Sequence, residues 1–120
     1  MKRAKPTNPE LIDTIILLRK TAKENDAKIW RKIAEALSRT RRRRIAVNLS
    51  RINRYTKTDD TVAVPGKVLA AGSIDHPITI GAFAFSEKAI TKIKKMKGKT
   101  LTFSDLIKEK PKGSNVKIIG

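Results

Sequence analysis

Covalent chemistry has few residues to work with in this 120-residue sequence. Its one histidine, His76, stands between Asp75 and Pro77 in a loop-like stretch, with no nucleophile or metal partner at a recognisable spacing. Asp59 and Asp60 are adjacent carboxylates, but neighbours on an extended chain point to opposite sides, which suits a polar turn better than paired acid-base work. Gly66-Lys67 and Gly98-Lys99 end like a phosphate-cradling loop, yet neither has the glycine five positions earlier that would complete the cradle. There is no cysteine, so no disulfide, thiol nucleophile or Cys-ligated metal, and a single histidine cannot build a His-based cluster. No cofactor, metal or small-molecule substrate is expected, and no catalysis.

What the sequence holds in quantity is cationic chemistry. Lys and Arg total 28 against 11 Asp and Glu, a net charge of +17. Up to Lys57 there are 17 basic and 5 acidic residues, net +12; after it 11 and 6, net +5. All ten arginines lie at or before Arg54. A guanidinium holds phosphate through a planar fork of donors and stacks on bases, whereas an ammonium acts as a mobile point charge. The first half should therefore make the specific contacts and the later lysines a diffuse field. Charge of this density repels itself, and a polyanionic partner relieves that repulsion.

Three groups of residues carry the expected contact. Lys2, Arg3 and Lys5 sit in a basic arm over residues 1–7 that orders on a partner. Arg39, Arg41, Arg42, Arg43 and Arg44 lie in a segment without an apolar residue to anchor it, hence an exposed loop. Arg51 and Arg54 are three apart, on one face of a short helix, and with Lys57 they surround Tyr55, which either meets a nucleic acid by stacking or a phosphate hydrogen bond or makes a structural hydroxyl contact. Aromatic residues make up only 4% of the chain, too few to stack a run of bases, so binding should rest on backbone and shape.

These groups need a scaffold. Thr7 or Asn8 can cap a first helix with Pro9 in its first turn and Leu11, Ile15 and Leu18, flanked by Ile12 and Ile16, along a stripe; it ends near Asn25. Asp26 can cap a second, whose Trp30, Ile33, Ala34 and Leu37 face one way, giving a helical hairpin. A short strand over residues 45–49 and a short helix capped by Ser50 follow. Residues 61–64 read as a strand that Pro65-Gly66 stops, and residues 78–85 as a buried strand. Ser86 should cap a helix closed by Gly98, Thr102 and Asp105 have capping-box-like spacing before another that Pro111 ends, and residues 116–119 make a last strand. The fold class is α/β, without room for a doubly wound nucleotide fold. A 39% hydrophobic fraction supports a folded body, and a chain of this size buries on the order of 65% of its unfolded surface. One domain is expected: the arm at 1–7, a helical, arginine-rich portion at 8–57 and an α/β portion at 58–120. The longest aliphatic run, Ile15-Ile16-Leu17-Leu18, is far below the roughly 20 residues of a membrane span, and no signal-peptide stretch follows the basic start, so a soluble chain of the cytoplasm with no membrane partner is expected.

Lys5-Pro6-Thr7-Asn8-Pro9, Trp30, Val47-Asn48-Leu49-Ser50-Arg51-Ile52 with Arg54-Tyr55, and Val64-Pro65-Gly66-Lys67-Val68-Leu69 stand in one order and spacing. In this the sequence resembles the eighteen-e protein family of the large ribosomal subunit of archaea and eukaryotes over nearly its whole length. The resemblance implies a fold related to the fifteenth protein of the large subunit: the N-terminal helical hairpin and basic loop, then irregular strand, strand, helix units. It also implies a structural role on the ribosome, with large-subunit ribosomal RNA and neighbouring ribosomal proteins as partners. Asn48, Arg51, Arg54 and Lys67 match recurring polar or basic family positions and become RNA-contact candidates, while Pro65 and Gly66 shape the backbone. Ala70 stands where family members often carry glycine, and the compact length points to an archaeal-type ribosome. Two rivals use the same residues otherwise: a chromatin-like DNA-coating protein, and a small RNA-processing enzyme with His76 or Asp75 as acid or base.

Overall fold

A computed structural model of the chain describes residues 9–39 and 45–120. The helix cap expected at Thr7 or Asn8, the basic arm and residues 40–44 lie outside the described residues. Helix α1 (Pro9–Asn25) packs on α2 (Lys28–Leu37) as the expected hairpin. Leu11, Ile15, Leu18 and Ala22 recur at helical spacing and bury one face of α1; Trp30, Ile33, Ala34 and Leu37 do the same for α2. Ile12 and Ile16, one position off that stripe, turn outward and are 39% and 58% exposed. The link differs from expectation: Asp26 takes a left-handed φ of 50° instead of capping, Ala27 holds the cap position without a side-chain bond, and Ala27 N–H donates to the Ala22 carbonyl at 3.0 Å.

The rest of the chain winds into a parallel sheet. It contains β1 (Ile45–Asn48), β2 (Thr61–Leu69), β3 (Thr79–Phe85), β4 (Lys99–Leu101) and β5 (Val116–Ile118), with α3 (Leu49–Arg54), α4 (Glu87–Lys95) and α5 (Phe103–Glu109) between strands. The path runs β1-β2-β3-β4, and β5 also pairs with β2. Since β1 pairs with the second half of β2 (Ile45 opposite Gly66) and β5 with the first (Thr61 opposite Val116), the two share one edge of β2, end to end.

Pro65-Gly66 does not stop the strand, as its sequence suggested, but bulges it. Val64 lies opposite Ala82 and Lys67 opposite Ala84, so two residues of β2 face one of β3. A bulge leaves one residue outside the ladder, which suits a proline without an N–H. Gly66 is required there: a Cβ would overlap the Ile45 carbonyl oxygen and stand 2.8 Å from its carbon.

Crossovers explain the layers. From β1 to β2 and from β3 to β4 the chain steps one way across the sheet, and from β4 to β5 it returns the other way. A common hand for all three puts α3 and α4 on one face and α5 on the opposite face. The core is divided accordingly. Ile52 of α3 and Ala89 and Ile93 of α4 pack with Val62, Val64, Ile80 and Ala82 on one side. Trp30, Phe103 and Leu106 pack with Ala63 and the hairpin on the other. The Trp30 indole donates to the Pro111 carbonyl at 2.8 Å and ties the hairpin to the end of α5. Ser86 and Thr102 cap α4 and α5 as expected, each hydroxyl accepting a backbone N–H at 3.2 Å. At the end of α4, Lys97 and not Gly98 takes the left-handed position (φ 65°), and Gly98 N–H reaches back to the Ile93 carbonyl at 2.9 Å.

Candidate nucleic-acid interface

The shared edge of β2 gathers the expected residues of the third group, those around Tyr55. Gly120 follows β5 and comes against Ile45 at the start of β1, where an added Cβ would be 2.9 Å from Ile45 Cδ1. Ile45, where the described chain resumes, thus lies beside the break between the two edge strands. β1 then runs directly into α3, whose helix starts at Leu49 with Asn48 in the cap position and no side-chain cap bond. Ser50, expected as the cap, instead donates its N–H to the Ala71 carbonyl at 3.1 Å. Gly72, at φ 84°, lets that loop press on Ser50, and Lys92 Nζ fixes it with bonds of 2.8 Å to the Ala70 and Gly72 carbonyls. A lysine that composition assigns to the diffuse field is here a strut for the helix that carries Arg51 and Arg54.

Arg51 and Tyr55 come together. The guanidinium carbon lies 5.3 Å from the ring centroid, a cation–π contact worth about 0.5–1 kcal/mol at an exposed site. Arg51 Nη2 also donates to the Gly120 carbonyl at 3.4 Å. Tyr55 is 52% exposed, and its hydroxyl makes no hydrogen bond among the described residues. Lys117 of β5 joins them, donating to the Tyr55 carbonyl at 3.4 Å and to Asp60 Oδ2 at 3.0 Å. The same Asp60 oxygen accepts the Lys57 N–H at 2.8 Å. That N–H first, and the Lys117 ammonium second, hold the Asp60 carboxyl below its ordinary range. Arg54, Lys57, Asn48 and Lys67 are all exposed, Lys67 on β2 opposite Ala46. Arg39 is exposed just past α2, in a different part of the chain. Lys2, Arg3, Lys5, Arg41, Arg42, Arg43 and Arg44 lie outside the described residues. Lys117 had no local signal: only the β2–β5 register, with Val62 opposite it, brings it to α3.

His76 is more than a loop residue. Its Nε2 lies 2.7 Å from Thr56 Oγ1 and its Nδ1 2.7 Å from Asp75 Oδ1, while Asp75 N–H donates to Asn53 Oδ1 at 3.1 Å. Hydrogen bonds from the His76 ring, then the Asn53 side chain, lower the Asp75 carboxyl from its usual range. The order hydroxyl, imidazole, carboxylate resembles a nucleophile and its base, but Thr56 Oγ1 also lies 2.8 Å from the Ile52 carbonyl, so the helix competes for its one proton. The set clamps the loop before β3 to the end of α3. Among the described residues no His, Asp or Glu group is placed to hold a metal, and no helix is long and apolar enough to cross a membrane.

Comparison with known proteins identifies the family. The family model for "Ribosomal protein 60S L18 and 50S L18e" matches residues 1–120. Large ribosomal subunit protein eL18 of Methanoregula boonei is 49% identical over 113 residues, covering 94% of this chain and 93% of the relative. The proteins of that name from Methanothermobacter thermautotrophicus and Archaeoglobus fulgidus are 43% and 42% identical, covering 99% and 94% of this chain and 98% and 97% of their own lengths. With its whole length matched and its relatives spanned nearly end to end, the chain belongs to the family of ribosomal protein 60S L18 and 50S L18e.

Proposed function

We propose that this chain, a structural and non-enzymatic protein of the large ribosomal subunit, works in the cytoplasm by gripping ribosomal RNA through phosphate contacts and shape, and so helps to hold the particle together. One observation carries the reading. Of the 28 lysines and arginines, seven lie at positions 2, 3, 5 and 41–44, and of the 21 that are described only Lys117 has a carboxylate within ion-pair distance among the described residues. Charge that the fold leaves unneutralised is matched by a polyanion outside it. The edge formed by β1, α3 and β5 supplies Asn48, Arg51, Arg54, Tyr55 and Lys57, with Lys67 alongside; Arg39 is exposed past α2, and the arm and residues 41–44 add their charge to the proposed contact. Neighbouring ribosomal proteins complete the partners.

The domain reading, one unit from 1 to 120, is supported by the cluster that joins Trp30 and Leu18 of the helical portion to Ala63, Phe103 and Leu106 of the α/β portion. Kinship with the fifteenth large-subunit protein is supported by the motifs and by the β2-β3-α4 run, a strand, strand, helix unit.

Co-sedimentation tests the function. The full chain should travel stoichiometrically with archaeal large subunits through a low-salt gradient, and an excess of duplex DNA should not strip it. Failure to travel with subunits, or equal preference for the DNA, overturns the reading.

A further inference from the structure

Arg51 and Tyr55 of α3 and Lys117, Ile118, Ile119 and Gly120 at the end of β5 line one open depression of about 490 Å³. That is within the roughly 300–1,000 Å³ of small-ligand sites. Its composition is unlike the rest of the basic edge. Tyr55 stays half exposed although Arg51 covers part of it, and Ile118 is 40% exposed beside it. A phosphate uses cations and donors; it has no use for an exposed ring and an aliphatic wall. A nucleobase uses both, because every base has a π face.

We propose that this depression takes a single unstacked nucleotide of the bound RNA, its base against the Tyr55–Arg51 pair with Ile118 as a side wall and its phosphate on Arg51 and Lys117. The proposal rests on the RNA-binding reading and adds to it a kind of contact that net charge does not imply. The number is one because no second platform exists among the described residues. Trp30 and Phe103 are fully buried, and Phe83 and Phe85 are half-buried against the core. The platform is also held in advance. Lys117 ties β5 to the Tyr55 carbonyl and to Asp60, and Arg51 reaches the Gly120 carbonyl, so the two walls of the depression are joined before a ligand arrives.

Tyr55 is the only tyrosine, so isotope-labelled tyrosine in the full chain gives one ring to follow by NMR. The single-stranded RNA hexamer rA6 should move the Tyr55 ring resonances upfield. Tripolyphosphate and hexaglutamate, which offer charge without a base, can disturb the ring only through Arg51 and should move its resonances less and without the upfield shift of a stacked base. Tyr55→Leu should weaken rA6 by about tenfold or more and leave tripolyphosphate binding unchanged, whereas Tyr55→Phe keeps the ring and should bind rA6 like the parent. Equal ring shifts with tripolyphosphate or hexaglutamate, or unchanged rA6 affinity in Tyr55→Leu, overturn the proposal. If the parent chain travels with large subunits while its Tyr55 ring ignores rA6, the nucleotide site falls and the RNA-binding reading stands; a chain that does not travel with subunits removes both.

Discussion

Replacing Gly66 with alanine tests the junction on which the proposed interface is built. The added Cβ would overlap the Ile45 carbonyl oxygen and stand 2.8 Å from its carbon. An unstrained contact between carbons needs roughly 3.5–4.0 Å, so β1 would have to retreat by about 1 Å from a backbone neighbour that cannot rotate away. Four paired positions, Ile45 to Asn48, depend on that approach. The chain has one escape, which is to release β1, and its cost limits the damage. Release exposes Val47 and Leu49, both buried, at about 1.5–3 kcal/mol each, or about 3–6 kcal/mol together. Gly66→Ala should therefore lower stability by about 3–6 kcal/mol, a drop in Tm of about 10 °C or more. Gly81→Ala is the control: there a Cβ meets the Leu106 Cδ2 at 2.6 Å, a side-chain end that can turn, so about 1–3 kcal/mol is expected. Urea unfolding followed by the fluorescence of the fully buried Trp30 reads both, and amide exchange over residues 45–48 shows whether β1 has let go. The reasoning fails if Gly66→Ala stays within about 1 kcal/mol of the parent or costs no more than Gly81→Ala.

Other substitutions probe separate links. Because its folded carboxyl lies below the ordinary 3.8, Asp60 contributes stability that is present above that pH and is lost as pH falls through the lower folded value. Asp60→Asn should accordingly be less stable than the parent at neutral pH, with the gap closing below pH 3.8, as acid titrations of the two would show; a gap constant to lower pH would exclude the linkage. Thr102→Ala removes the hydroxyl that accepts the Asp105 N–H, and thermal melts should show a loss of about 1 kcal/mol. Arg51→Ala with Arg54→Ala should leave the fold intact, since both side chains are exposed. If both neutralise phosphates, the slope of log K against log salt for single-stranded RNA should fall by about 1.4, and an unchanged slope would remove them from the interface.

Local rules carried the reading a long way. Helical spacing placed Trp30, Ile33, Ala34 and Leu37 on one face, and the caps at Ser86 and Thr102 hold because a hydroxyl two or three residues from a free N–H is chemistry within one turn. The failures share a different cause. Asp26 and Ser50 are good caps in isolation, yet the hairpin needs a left-handed residue at 26 and the Ala71 carbonyl claims the Ser50 N–H. Pro65-Gly66 is a stop signal by propensity, and only a neighbour on each side of β2 converts it into a bulge. The three-residue β4 was not foreseen, since its pairing with β3 supplies most of what defines it. For the interface, charge and spacing singled out Arg51, Arg54 and Tyr55, but Lys117 sits 62 residues from Tyr55 along the chain and meets it through sheet register alone. His76 was visible as a residue; its clamp required the loop before β3 to lie on α3.

The divided edge of β2 also governs the order in which the chain can finish itself. Thr61–Ala63 offer their outer backbone groups to nothing upstream, because β1 takes only Gly66 to Leu69. Their partner, Val116–Ile118, is made more than fifty residues later, so one edge of the first three residues of a central strand waits as an unsatisfied template while everything between is synthesised. Such late, sequence-distant closure slows folding and leaves an exposed strand open to wrong pairings in the interval. Tyr55 and Lys117 meet only at that last step. Until the chain has closed on itself, the basic helix α3 lacks the wall opposite it, and a polyanion that arrives early meets charge without the finished surface.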